Sequence, residues 1–343
     1  PVAGYTTEKV ALFGGGYAAC EDIDTASPCS TGQKGSNVYV VDAGNGTLLK
    51  TFTTSYSVVS EVSVVDLNSD GKADYGYVGD TGGNLYRIDM VTRTVSGGVS
   101  TYTAAAPGDW TIRKIASAGG GRKFLFQPAL LPIVKDGRVY VAIGSGDREH
   151  PLLSNYAYNV TNRFYVYLDN LAVTSGTVDL NGLEDKTTDA GCDSASILPT
   201  STQVGWYMDL NQNGQGEQAV SSALILGGQV VFSTNMPIPP AEGTCSTILG
   251  KARGYWVNLF NASGTIGVTN AACGGTRSSV FAGGGLPPSP VTGNVYIDGK
   301  PVTVVIGAVD HDGGASTPIS PGKVTPAVNP IRKRIYHKVK GVD

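Results

Sequence analysis

One pattern recurs along this chain and leaves little choice of architecture. An apolar run, a turn built on Asp or Gly, and a second apolar run appear as PALLPIVKDGRVYVAIGSGD (128–147), SSALILGGQVVFSTN (221–235) and SPVTGNVYIDGKPVTVVIGAVD (289–310). A complementary half, an aromatic-rich run ending in Asp or Asn, reads SNVYVVDAGNGTLLKTF (36–52), NLYRIDMVTRTV (84–95), RFYVYLDNLAVTSGTV (163–178) and GYWVNLFNASGTI (254–266). The opening EKVALFGGGY (8–17) supplies the first half of the first unit. Joined, the halves predict at least five units starting near residues 8, 62, 128, 221 and 289, each of about four short antiparallel strands. No stretch between them keeps a helical period long enough to bury a helix. Four-stranded units repeated around an axis leave only short, protected edges, so the expected fold is an all-β propeller of about seven modified blades with loop insertions. All of 1–343 is read as one such domain. A pair of β-sandwiches competes, but no Pro/Gly/Ser linker divides the chain into halves. The longest gap holds a polar insert (181–203) and then the strand-like VGWYMDL (204–210).

Composition agrees with short strands and tight turns: Gly is abundant at 47 residues, and Tyr is common at 17. Only 15% of residues are charged and the net charge is −3, which implies no polyelectrolyte partner; the three His and scattered Lys and Arg form no nucleic-acid footprint. No apolar run reaches the 18 or so residues of a membrane span. No signal peptide opens the chain, and Pro1 suggests a mature or excised part of something longer. Cys20 and Cys29 bracket a polar loop, and a bridge there closes a ring stabilised by roughly 2.5–3 kcal/mol in the chain-entropy model. Cys245 and Cys273 form a second candidate pair, which leaves Cys192 odd, free or bonded elsewhere.

The chemistry concentrates in one loop, Asp66-Leu-Asn68-Ser-Asp70-Gly71-Lys72-Ala-Asp74. Carboxylate or amide oxygens at 66, 68, 70 and 74 match the first, third, fifth and ninth positions of an EF-hand loop, with the turn glycine at the sixth. Lys72, at the seventh, offers its backbone carbonyl. The expected ion is Ca²⁺, because Mg²⁺ prefers to keep its waters. The twelfth position, a bidentate Glu in an EF-hand, is Tyr77 inside a predicted strand, so Asp74 is the expected closer. An Asx-rich turn is the plain reading, but three Asp within nine residues repel one another.

The calcium loop running into a strand, the turn GSGDREHP (144–151), GWYMDL (205–210) and the aromatic strand ends together resemble the C-terminal domain of the PilY/PilC family, over about residues 8 to 335. The resemblance implies a modified seven-bladed propeller at the tip of a bacterial type IV pilus, outside the cell or on its outer membrane. It implies a calcium site on Asp66, Asn68, Asp70, Lys72 (carbonyl) and Asp74 that regulates extension against retraction and twitching motility. The implied partners are pilus components such as minor pilins, the protein's own N-terminal region, and host or abiotic surfaces, with no catalysis. Some family members carry an Arg-Gly-Asp motif tied to integrin binding; here Arg253-Gly254 continues into Tyr255.

Other constellations carry weaker signals. Asp209-Leu-Asn211-Gln-Asn213-Gly-Gln215-Gly-Glu217 repeats the loop spacing with fewer charges, and a hairpin turn explains it as well. His311, between Asp310 and Asp312, reads as an exposed turn, since a zinc site needs three or four placed ligands. Gly144-Ser145-Gly146-Asp147 lacks the nucleophile-elbow spacing and reads as a blade turn. The basic alternation Arg332–Lys340 suits a closing strand, or a docking strip for an acidic partner. Two alternatives to a pilus module remain. Trp110, Trp206 and Trp256 would offer stacking faces to a calcium-dependent carbohydrate-binding propeller. A quinone-cofactor dehydrogenase-type propeller is less supported, because there are three Trp and no adjacent Cys pair.

Overall fold

The structure, a computed structural model, describes residues 1–5, 9–26, 29–188, 191–238, 249–268, 273–297, 300–312 and 322–323. Besides a two-stranded hairpin at Val91–Ser96 and Val99–Ala104, its strands form five blade-like sheets in chain order, whose first strands begin at Val10, Ser63, Ala129, Gln218 and Val291, close to the starts expected from the repeat. The first blade pairs Val10–Gly14, Asn37–Asp42 and Leu48–Thr53. The second pairs Ser63–Val65, Tyr75–Gly79, Asn84–Asp89 and Thr111–Ser117, and the distant Val178–Asp179 adds a parallel edge strand. The third pairs Ala129–Ile133, Arg138–Gly144, Arg163–Asn170 and Gly205–Asp209, with Glu184–Asp185 added in parallel. The fourth is built on Gln229–Met236 and Lys251–Asn258, the fifth on Val291–Ile297 and Lys300–Ile306. Among the described residues the helical segments are 3-10 turns of three or four residues. The described residues account for five of the seven expected blades, and the basic stretch at 332–340 lies outside them.

Strand alternation explains why these sheets stack as blades. In the third blade Val139, Val141, Ile143, Tyr165, Tyr167 and Tyr207 face the core shared with the first two blades. Their neighbours Tyr140, Ala142, Phe164, Val166, Trp206 and Met208 face a separate core shared with the fourth. Side chains two apart share a face and adjacent ones oppose, so this sheet is buried on both sides. A sandwich sheet buries one face and leaves polar residues on the other. The second interface is aromatic: Phe164 stacks on Phe232 at 3.8 Å, and Phe232 on Tyr255 at 4.7 Å. Gly144 sits where a Cβ would come within 2.5 Å of Ala219, so glycine lets the two blades close.

The segment VGWYMDL is therefore the fourth strand of the third blade, reached after a long insertion, with Tyr165 opposite Tyr207 and Val166 opposite Trp206. The Cys20–Cys29 bridge is present as expected. The second expected pair is corrected: Cys192, not Cys245, joins Cys273, and Cys245 lies outside the described residues. The insertion folds back across the fourth blade, where Ser194 and Asn261 exchange hydrogen bonds, and that contact brings Cys192 to Cys273.

Two outcomes test this packing. Phe164→Ala should cost about 3–5 kcal/mol in denaturant unfolding, whereas Val99→Ser, at a site 67% exposed, should stay within about 0.5 kcal/mol. A non-reduced peptide map should recover the 192–273 bridge, and Cys192→Ser should lower stability by up to about 4–5 kcal/mol for a loop closed over 81 residues. A map linking Cys245 to Cys273 would contradict the fold of the insertion.

Candidate metal centre

The loop 66–74 joins the first strand of the second blade to its fully buried second strand, Tyr75–Gly79. Two left-handed residues wind it, Ser69 at φ 60° and Gly71 at φ 81°. Backbone N–H groups converge on the side-chain oxygens. Asp66 Oδ1 accepts from Ser69 N at 2.7 Å, and Asp66 Oδ2 from Gly71 N at 2.8 Å. Asn68 Oδ1 accepts from Asp70 N at 2.9 Å, and Asp70 Oδ1 from Lys72 N at 2.9 Å. The far end is clamped by the start of the chain, because Ala73 N donates to Pro1 O and Ala3 N donates to Ala73 O. That clamp was not read from the sequence, where the small apolar pair Val2-Ala3 is its one trace; in the structure both are buried.

Asp74 differs from the other carboxylates. It is fully buried; Oδ2 accepts from Leu67 N at 2.8 Å, while Oδ1 has no hydrogen-bond partner. Burial pushes its pKa above the usual carboxylate range, N–H donors from Leu67 and Asn68 oppose that shift, and the charges of Asp66 and Asp70 add to it. An orphaned buried carboxylate oxygen beside two more carboxylates is costly unless a proton or a cation meets it. The five residues proposed from spacing thus lie on one turn, and their donors fit a hard, oxygen-seeking ion. They are not drawn together as they stand: among the described residues no three His, Cys, Asp or Glu gather closely enough to hold a metal. Tyr77, at the place of the EF-hand Glu, is wholly buried and donates to Asp169 Oδ2 at 2.9 Å, so it ties the second blade to the third.

The other candidates resolve into structure. In the loop 209–217, Asp209 pairs with Arg163 at 2.7 Å, and Glu217 accepts from Thr234, Tyr255 and the Asn213 N–H at 2.6 Å each. Its oxygens are consumed, as a hairpin turn requires. His311 is not exposed: it is buried edge-on to Trp256 at 5.0 Å, and burial lowers its pKa. All three Trp are buried, and their indole N–H groups donate to Ala105, Leu259 and Val309 carbonyls, so they offer no stacking face to a sugar. Arg253 and Gly254 lie inside a paired strand. Ser145 Oγ donates to Asn162 and accepts from Arg163 N, the bonding of a turn. The next carboxylate, Asp147, joins a buried group the sequence did not reveal: Lys123 Nζ lies 3.0 Å from Asp147 and 2.8 Å from Glu21, and His150 is 2.9 Å from Asp147.

The sign of the Asp74 shift gives a test without any ligand. A carboxyl with a raised folded pKa holds its proton better folded than unfolded, so in metal-free buffer stability should fall as pH rises through that folded value. Asp74→Asn should flatten this dependence and raise the melting temperature at neutral pH; an unchanged profile would remove the buried charge from the loop's energetics.

A family model described as the PilY1 beta-propeller domain matches residues 3–127, a span that contains the 66–74 loop. The type IV pilus biogenesis factor PilY1 homolog of Xylella fastidiosa is 22% identical over 234 residues, covering 66% of this chain and 16% of that protein. Type IV pilus biogenesis factor PilY1 of Pseudomonas aeruginosa is 24% identical over 232 residues, covering 56% of this chain and 20% of that protein. The chain thus spans a fifth or less of the curated relatives it matches. The crystal structure of the Pseudomonas aeruginosa PilY1 C-terminal domain superposes with a TM-score of 0.56 at 17% identity, covering 80% of this chain and 66% of that one. The resemblance read from the sequence is therefore met: this chain is similar to the PilY1 family of type IV pilus biogenesis factors and carries the propeller fold of the PilY1 C-terminal domain.

Proposed function

We propose that this domain is a calcium-regulated, non-catalytic module of a type IV pilus tip protein. The observation that carries the reading is the buried, unpartnered Asp74 Oδ1 at the head of a blade strand, with Asp66, Asn68 and Asp70 wound in front of it. Bound Ca²⁺ supplies two positive charges at the point where three carboxylates otherwise repel. Asp66, Asp70 and Asp74 would hold the ion, with Asn68 and the Lys72 carbonyl as the remaining oxygen donors. The loop orders while the strand Tyr75–Gly79 stays fixed, because its side chains are buried and it is paired on both sides. The ordered loop presents one surface and the splayed loop another, so a partner that prefers one state is linked to calcium in both directions. In this reading the calcium-bound state favours extended pili and the free state permits retraction. The partners are minor pilins, the protein's own N-terminal region and the surfaces that the pilus touches, on the outside of the cell.

Calorimetry on metal-stripped protein should find about one calcium site, and Asp70→Ala should weaken it at least tenfold, because loop charge sets affinity. Calcium at about a hundred times the parent's dissociation constant should add roughly 2.7 kcal/mol of stability to the parent and about 1.4 kcal/mol or less to Asp70→Ala. In cells, Asp70→Ala should change surface piliation and twitching, and Asp70→Lys, which mimics occupancy, should shift them the opposite way. If calcium binding is lost and both variants behave as the parent, the ion is structural and the regulatory reading is wrong.

A further inference from the structure

At the other end of the strand Tyr75–Gly79 from the cation loop, the turn 80–84 and the loop after Ser117 enclose a polar cavity of about 350 Å³. This lies at the small end of the range of roughly 300–1,000 Å³ found for small-ligand sites. No carboxylate lines it, and its one cationic lining residue is Lys114. Lys114 takes part in no ion pair among the described residues. One wall is backbone: Gly119, Gly120 and Gly121 take φ of 54°, 64° and 76° in succession, a left-handed run open to glycine. Their N–H groups make no backbone hydrogen bond among the described residues. A Cβ on Gly119 would meet nothing within 4 Å, so packing does not demand glycine there; the backbone conformation does.

The remaining walls are held rigid. Ser117 Oγ donates to Asn84 Oδ1 at 3.0 Å, and Asn84 Nδ2 donates to Asp80 at 3.0 Å. Tyr56 N donates to Asp80 Oδ2 at 3.2 Å, and Gly82 lies so close beneath the Tyr56 ring that a Cβ would approach it to 2.1 Å. Tyr56 lines the cavity, and its hydroxyl makes no hydrogen bond among the described residues. Asp80 and Glu21 stand behind the wall, each already satisfied by donors. Lys123 neutralises Glu21, and the single ammonium on the lining matches a single carboxylate. We propose that this cavity binds a sugar acid, a small polyhydroxylated monoanion, with Lys114 meeting the carboxylate and Tyr56 and the Gly119–Gly121 N–H groups meeting hydroxyls.

Calorimetry at low ionic strength with D-glucuronate, D-glucose, acetate and inorganic phosphate as probes decides this, with circular dichroism confirming that each variant folds. Glucuronate should bind, with glucose and acetate each at least about tenfold weaker. Lys114→Ala should reduce glucuronate to the level of glucose, Lys114→Gln serves if the alanine variant fails to fold, and Tyr56→Phe should weaken binding several-fold. Absence of glucuronate binding, equal affinity for glucose, acetate or phosphate, or affinity untouched by the Lys114 substitutions would each overturn the proposal. Calcium binding at the 66–74 loop plays no part in the readout, so the two sites stand or fall separately.

Discussion

Everything in this fold depends on the third blade being buried on both faces. Val139, Val141 and Ile143 point one way and Tyr140 and Ala142 the other, and every one of them is excluded from solvent. At about 25 cal/mol per Å² of apolar surface removed from water, each interface stabilises both of its sheets, so no blade holds its core alone. The alternation also sets the direction of growth. Val230, Phe232 and Tyr255 of the fourth blade complete the core shared with the third, while Val231 and Trp256 open the next one with Val305 and Val309.

Polar groups caught between blades fix how the sheets are set against one another. Arg87 of the second blade is 1% exposed and meets Asp169 of the third at 3.0 Å, and the same carboxylate oxygen accepts from Tyr77. Lys123, fully buried, lies between Glu21 of the disulfide loop and Asp147 at the end of the third blade. Buried ion pairs add little net stability over apolar substitutes, but removing one partner strands a charge at a cost of about 3–5 kcal/mol. They therefore act as register pins. The 66–74 loop benefits, because its exit strand is fixed by Tyr77 and its last turn by Pro1 and Ala3. Any change in loop charge is then expressed in the loop and not spread through the blade.

The repeat made the architecture legible because each unit carries its own alternation and turn residues, and the five starts read from sequence fall within three residues of the observed first strands. The loop 66–74 was legible as an oxygen-rich turn, since Asp and Asn side chains alternate around its glycine, but among the described residues its carboxylates do not gather on a common centre. What escaped was long-range. Whether Trp110, Trp206 and Trp256 face solvent or core depends on which sheet lies opposite, and a single strand does not say. His311, flanked by two Asp, looks exposed until Trp256 is placed beside it. The Cys192–Cys273 bridge depends on an insertion folding back over 81 residues, and the Lys123 cluster gathers residues from three separate turns. No local spacing encodes either.

On the proposed reading a cation orders the 66–74 loop locally, at the head of a rigid strand. Amide hydrogen exchange with and without calcium tests it most directly. Protection is expected to rise at the amides of Ser69 to Lys72, which already point at the Asp66, Asn68 and Asp70 oxygens, with Arg138–Gly144 and Gln229–Met236 unchanged. Exchange that is indifferent to calcium in the loop, or that slows uniformly across all blades, would contradict it.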